Sequence, residues 1–166
     1  KSGFIATGQI GITITGDGIP LDAFKVDHAC GAVERKVLEY SENDLIIIEG
    51  QGSLLHPGST ATLPLIRGSC PTHLILCHRA EKQNLRYPEN IQIPNLKKFI
   101  ELNENLSHVF GSFPMAKCIG ISLNTSKLNE NDAQKVIKDI TKLTGLPVTD
   151  PVRYGVEKIC KDQLVD

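Results

Sequence analysis

The sequence predicts an α/β fold of three layers, with helices on both sides of a mainly parallel sheet. Short apolar runs rich in β-branched residues recur along the chain. Stretches with helical spacing separate them, and each run ends in a polar, often glycine-bearing tip. The clearest run is Asp44-Leu45-Ile46-Ile47-Ile48-Glu49, read as a strand over 44–49. An uninterrupted apolar run suits a strand covered on both faces, as in a parallel sheet. The carboxylate at its end would emerge at the carboxyl edge of the sheet, where open α/β folds bind ligands. Gly50-Gln51-Gly52 follows, and its glycines let backbone amides approach an anion closely.

The other elements follow in order. Residues 3–7 read as a short buried strand ending in Thr7-Gly8. Over 8–18, Ile10, Ile12 and Ile14 alternate with small or polar residues, as in a strand, but the glycines also permit a loop or a short helix. Val26, Ala29, Val33, Val37 and Tyr40 recur at helical spacing, which predicts a helix over 25–41. Ser59 is the expected N-cap of a short helix reaching about Ile66, limited by Pro64. Residues 72–77 read as a buried strand and 79–94, with Pro88 and Pro94, as a long surface loop. A helix over 95–108 and a strand over 117–123 come next. Asn129 caps a helix to about Leu143, and Gly145 stops it. A short strand over 147–149 and a helix over 153–164 complete about five strands.

Bulk properties exclude several classes. The chain has 166 residues, 40% hydrophobic and 22% charged, enough for one domain with a real core. A net charge of -1 gives no general electrostatic case for nucleic acid or an anionic membrane, and 5% aromatic content argues against a base-stacking surface. No apolar run is long enough to span a bilayer, and no signal peptide is visible. The five cysteines are scattered and form no C-x-x-C pair, so reduced thiols in a cytoplasmic protein are expected. Cys77 and Cys118, inside apolar runs, read as small core residues. G-x-S-x-G, H-E-x-x-H, G-x-x-x-x-G-K-[ST] and G-x-G-x-x-G are all absent.

In one parallel sheet the polar tips would converge on one edge. They are Thr7-Gly8-Gln9, Glu49-Gly50-Gln51-Gly52, His78-Arg79, Asn124-Thr125-Ser126 and Asp150-Pro151-Val152-Arg153. A ligand site explains all of them together better than chance polarity of loops. Glu49 is the foremost candidate for a general base or a magnesium-linked carboxylate, since a hard cation takes oxygen ligands and shares them with phosphates. Thr7 would add a hydroxyl and Gly8 an amide. His56, after the glycine loop, is either an acid–base group or a loop histidine bonded to backbone. Arg79 suits a phosphate or carboxylate. Asn124 offers both a donor and an acceptor, as a base or an amide requires. Arg153 either binds a carboxylate or pairs with Asp150. Asp27 and His28, at a helix start, have surface or dipole roles as their plainer readings.

These tips also carry a resemblance. Phe4-Ile5-Ala6-Thr7-Gly8-Gln9-Ile10-Gly11, Glu49-Gly50-Gln51-Gly52-Ser53-Leu54-Leu55-His56-Pro57, Leu76-Cys77-His78, Gly120-Ile121-Ser122-Leu123-Asn124-Thr125 and Thr149-Asp150-Pro151-Val152-Arg153-Tyr154-Gly155 closely resemble the carboxyl-terminal domain of a bacterial and archaeal family. That family, long of unknown function, is associated with D-glutamate N-acetyltransferases. Its domain is similar to P-loop NTPases of the dethiobiotin synthetase kind. The resemblance implies a Walker-B-like role for Glu49, contact of Thr7, Gly8, Gln9, Gly50, Gln51 and Gly52 with phosphates, cofactor or substrate, and contact of Asn124 with adenine. By position and type, His56, His78, Arg79, Asp150, Arg153 and Gln51 are candidates around the acceptor amino acid. It further implies an amino-terminal Rossmann-like domain and a P-loop strand lying before Lys1. The chain is therefore expected to be one P-loop-NTPase-like domain over 1–166 within a longer two-domain protein, inactive alone and short of a central strand.

With the resemblance weighed alongside the residues, three functions remain open. One is an N-acyltransferase using acetyl-CoA on a D-amino acid. The second is an ATP- and magnesium-dependent kinase or ligase that activates a carboxylate. The third is a non-catalytic nucleotide-binding module. Expected partners are small molecules, not nucleic acid or membrane, and a homo-oligomer is left open.

Overall fold

A computed structural model describes residues 1–161. The chain forms two compact units, Lys1–Cys70 and the part from Pro71 onward. Both are α/β, and every strand pairing between named strands is parallel. Among the described residues the strands form two sheets, β1-β2 in the first unit and β3-β4-β5 in the second.

In the first unit β1 (Ser2–Ile5) pairs with β2 (Leu45–Ile48) in the register Gly3↔Ile46 and Ile5↔Ile48. Side chains alternate across a strand. Ile5, Ile46 and Ile48 therefore share a face, and they pack with Ile19, Leu21, Ala29, Val33 and Leu65. The opposite face, Phe4↔Ile47, is open, with Ile47 50% exposed. Within this unit β2 is thus covered on one side, not on both as its apolar run suggested. The ambiguous segment forms a helix, α1 (Gln9–Thr15). Gly16 closes it in the left-handed conformation, its amide donating to the Ile12 carbonyl at 2.8 Å.

Helix α2 (Val26–Glu39) buries Ala29 and Val33. It packs on α3 (Thr62–Ser69) at Gly68, where a Cβ would stand 2.4 Å from the Cys30 carbonyl oxygen. Ser59 does not cap α3. Its hydroxyl is engaged by the Ser53 amide at 3.0 Å, and the helix begins at Thr62. Pro64 then falls in the first turn, where a missing N–H costs nothing.

The second unit contains β3 (His73–Arg79), α4 (Leu96–His108), β4 (Lys117–Asn124), α5 (Glu130–Thr144), β5 (Val148–Thr149), α6 (Pro151–Tyr154) and α7 (Glu157–Cys160). Asn95 and Asn129 cap α4 and α5 through their side chains, and Gly145 ends α5 in the left-handed conformation. Ile121, Leu123 and Val148 meet Ile100 of α4 and Ile137 of α5 in the core. On the other side of β4, Gly120 leaves room for Ile159 of α7, which a Cβ would meet at 2.9 Å. Helices therefore lie on both faces of this sheet. Cys118 is buried, whereas Cys77 is exposed and is not a core residue here. The single helix expected over 153–164 is two short helices, because Gly155 breaks the chain at φ 75°. The end of that expected helix lies outside the described residues.

Candidate functional sites at the strand ends

In the first unit the strand ends meet through Glu49. Its Oε2 accepts the amides of Thr7 at 2.8 Å and Gly8 at 3.0 Å, and its carbonyl accepts the Thr7 hydroxyl at 2.9 Å. Thr7 is fully buried and Gly8 is the N-cap of α1. The carboxylate thus satisfies amides that open a helix and are otherwise unpaired. Two glycines make the fit possible. A Cβ on Gly11 would lie 2.4 Å from Oε2, and one on Gly8 would lie 3.1 Å from Gln51 Oε1. Gln9 reaches sideways, its Nε2 donating to Asp22 Oδ2 at 3.0 Å.

The loop after Glu49 is held from below. Thr62 Oγ1 donates to the Gln51 carbonyl at 3.3 Å. Gly52 has φ 74°, and a Cβ there would fall 2.0 Å from Ser59 Oγ. Only glycine fits that position on both counts. The amides of Gly50, Gln51 and Gly52 donate to no acceptor in the described chain. His56 is exposed on the same loop, and its Nδ1 accepts the Gly58 amide at 3.1 Å. In that neutral tautomer Nε2 carries the proton and points a donor outward.

Among the described residues no three His, Cys, Asp or Glu side chains group as metal ligands. Glu49 alone offers one carboxylate oxygen beyond the one already bonded. These residues do not by themselves make a magnesium cage, and an ion here would depend on substrate phosphates and water, the usual manner of magnesium.

In the second unit Arg79 and Asn124 are register partners at the ends of β3 and β4, and the Ala80 amide donates to the Asn124 carbonyl at 3.0 Å. A narrow cleft lies over them, lined also by Glu81, Ser126, Lys127 and Leu128. Asn124 Oδ1 accepts the Ser126 amide at 3.0 Å, which leaves its Nδ2 as a donor. The Arg79 guanidinium has no hydrogen bond or ion pair among the described residues. His78 is partly buried, and burial pushes its imidazole below the usual range.

Asp150 and Arg153 are built into the fold. Asp150 is 3% exposed. Its Oδ2 accepts the Thr125 amide at 2.9 Å and the Thr125 hydroxyl, and its Oδ1 accepts the amides of Val152 at 3.0 Å and Arg153 at 3.3 Å. Burial works to raise this carboxyl, but the four donors outweigh it and hold it below the usual carboxylate range. Arg153 donates to the carbonyls of Leu128 at 2.6 Å and Thr125 at 3.2 Å and pairs with Glu130 at 3.1 Å. Tyr154 adds a hydrogen bond to Glu130 at 2.8 Å. The pair therefore clamps the loop that follows Asn124. The expected pairing of Arg153 with Asp150 is a long one, Nε lying 4.0 Å from Asp150 Oδ2.

Gly11, Ser59, Thr62 and Glu130 take part in these sites although they stand outside the polar tips expected from the sequence. For Gly11 and Ser59 a signal existed: a glycine inside a helical stretch implies close approach, and a serine after a glycine loop implies a bond to its backbone. The bond of Glu130 to Arg153 spans 23 residues and leaves no local signature.

The fold is parallel α/β, with Thr7-Gly8 following β1 and Glu49-Gly50-Gln51-Gly52 following β2. A family model described as "Domain of unknown function (DUF1611_C) P-loop domain" matches residues 1–160, and the chain belongs to this family. It is similar to a D-glutamate N-acetyltransferase of Tritonibacter scottomollicae, 38% identical over 96% of this chain and 47% of that protein. A D-glutamate N-acetyltransferase of a Pseudoalteromonas species is 35% identical over 94% of this chain and 47% of its own length. The crystal structure of a DUF1611 family protein from Anabaena variabilis matches with a TM-score of 0.94 at 49% identity, covering 97% of this chain and 47% of that one. The chain spans about half the length of the curated relatives it matches. Among the described residues no helix is long and apolar enough to cross a membrane.

Proposed function

We propose that this chain is the nucleotide- or CoA-binding part of an N-acyltransferase that acetylates the amino group of a D-amino acid, D-glutamate foremost. The observation that carries this reading is the pair of relatives bearing that name, similar over nearly all of this chain. The geometry around Glu49 agrees with it. Acyl transfer from a thioester to an amine needs a group to take the amine proton and donors for the oxyanion. Glu49 Oε2 is anchored by two amides, so Oε1 is the oxygen left to receive a proton. His56 presents Nε2–H and suits donation better than abstraction. The unengaged amides of Gly50, Gln51 and Gly52 are the proposed donors. In the balanced step the amine nitrogen bonds to the carbonyl carbon, the carbon–sulfur bond breaks, and the amine proton passes by way of Glu49 to the leaving thiolate.

In the second unit, Asn124 is the proposed contact for an adenine base and Arg79 for a phosphate or carboxylate, with His78 beside them. Asp150 and Arg153 would support that rim by holding its loop. The cytoplasm is the proposed location.

A second reading has one observation in its favour, the P-loop description of the family. It is a magnesium- and ATP-dependent ligase or kinase activating a carboxylate. The test is to incubate the full-length protein with D-glutamate and either acetyl-CoA or ATP, and to follow N-acetylglutamate and ADP by mass spectrometry. Acetylated product without ADP is expected. ADP without acetylated product would replace this reading with the second, and no turnover with either donor would favour a binding module.

A further inference from the structure

Among the described residues of the first unit the outer face of α2 is unpartnered, and its sequence is self-complementary. Ala29 and Val33 turn inward. At about 100° per residue, Asp27, His28, Gly31, Glu34, Arg35 and Leu38 then share the opposite face, and all of them are exposed. A shallow groove of about 310 Å³ runs along it, lined by Phe24, Asp27, His28, Gly31, Ala32 and Arg35. Gly31 is the low point, since a Cβ there would meet no atom within 4 Å.

A rotation that swaps position 31+k with 31−k pairs these residues by type. Asp27 falls opposite Arg35 and His28 opposite Glu34. The side chains of Asp27, His28, Glu34 and Arg35 make no hydrogen bond or ion pair within the described chain. A two-fold interface has this property: residue i meets j, and j meets i. A glycine at the crossing point lets two helices approach at the short end of the usual interaxial range, about 8 Å.

We propose that two copies of this chain associate through α2, antiparallel, with the two-fold axis at Gly31. Asp27 of each copy meets Arg35 of the other, and the His28 imidazole N–H donates to the Glu34 carboxylate of the other. A partner of another kind would not need the charges to be palindromic about the glycine.

Charge-swap variants of the full-length protein test this by sedimentation velocity. Asp27→Arg alone and Arg35→Asp alone each set like charges against each other at two symmetry-related points. Each should raise the dimer dissociation constant by about tenfold or more, a loss of about 1.4 kcal/mol or more. The double variant restores opposite charges with their order reversed and should return close to the parent affinity. Gly31→Gln fills the crossing point from a position where a Cβ meets no atom within 4 Å, so it should abolish pairing with an unchanged circular dichroism spectrum. A parent protein that stays monomeric at tens of micromolar, single variants that associate like the parent, or a double variant that fails to recover would each overturn the proposal.

Discussion

Replacing Gly11 by alanine tests the hold of α1 on Glu49. Two effects oppose each other. Alanine in place of glycine favours a helix by about 1 kcal/mol. The new Cβ, however, would lie 2.4 Å from Glu49 Oε2 and 3.0 Å from the Ala6 Cβ. The carboxylate is the softer neighbour and should move, giving up its bonds to the Thr7 and Gly8 amides. Hydrogen bonds to a charged group contribute roughly 1.5–3 kcal/mol each, so the loss is about 3 kcal/mol at the low end. Subtracting the helix gain leaves a net destabilisation of about 2 kcal/mol. For a protein of this size that lowers Tm by roughly 4–8 °C. Thermal unfolding by circular dichroism reads the first quantity. Hydrogen exchange over residues 4–12 reads the second, and the Thr7 and Gly8 amides should lose protection. A variant that is more stable by about 1 kcal/mol, with those amides still protected, would refute the reasoning.

Asp150→Ala removes the acceptor of four internal hydrogen bonds and the cap of α6. The cost should be about 3 kcal/mol in denaturant unfolding, with added exchange in the loop after Asn124. Acid should act on the same group. Its folded pKa lies below the unfolded one, so its stabilisation is present above about pH 4 and is lost as the pH falls through the folded value. His78 follows the same sign, because burial depresses its folded pKa below the unfolded 6.5. Stability should therefore fall as the pH drops below about 6.5. His78→Asn should flatten the dependence of Tm on pH between about 7.5 and 5.5, and an unchanged slope would show that His78 does not contribute.

Much of this was legible because several elements carry their own punctuation. Helix α5 begins at the Asn129 cap and ends before Gly145 as its sequence indicates. Elsewhere distant partners decide. Ile10, Ile12 and Ile14 alternate like a strand, yet α1 is a helix with Ile10 and Ile14 79% and 80% exposed. Its opening amides at Thr7 and Gly8 are held by Glu49, more than 40 residues away. Ser59 has the composition of a cap but spends its hydroxyl on Ser53. Conversely, Asp150-Pro151 is a strong start signal, with the cap side chain and proline at N1, and it places α6 two residues before the helix expected at Arg153. Glu49, Thr7 and Gly8 could be joined from sequence because all lie at strand ends. The Leu128 and Thr125 carbonyls that Arg153 reaches could not, since backbone carbonyls accept from any residue.

The central claim is that Glu49 takes a proton during acyl transfer. Glu49→Gln preserves shape and retains a carbonyl for the Thr7 and Gly8 amides, while removing the basic oxygen. Single-turnover acetylation of D-glutamate from acetyl-CoA by the full-length protein measures this most directly. A rate at least a hundredfold lower at saturating substrates, with a fold preserved to within about 2 kcal/mol, is the expected result. Parent-like turnover by the variant would contradict it.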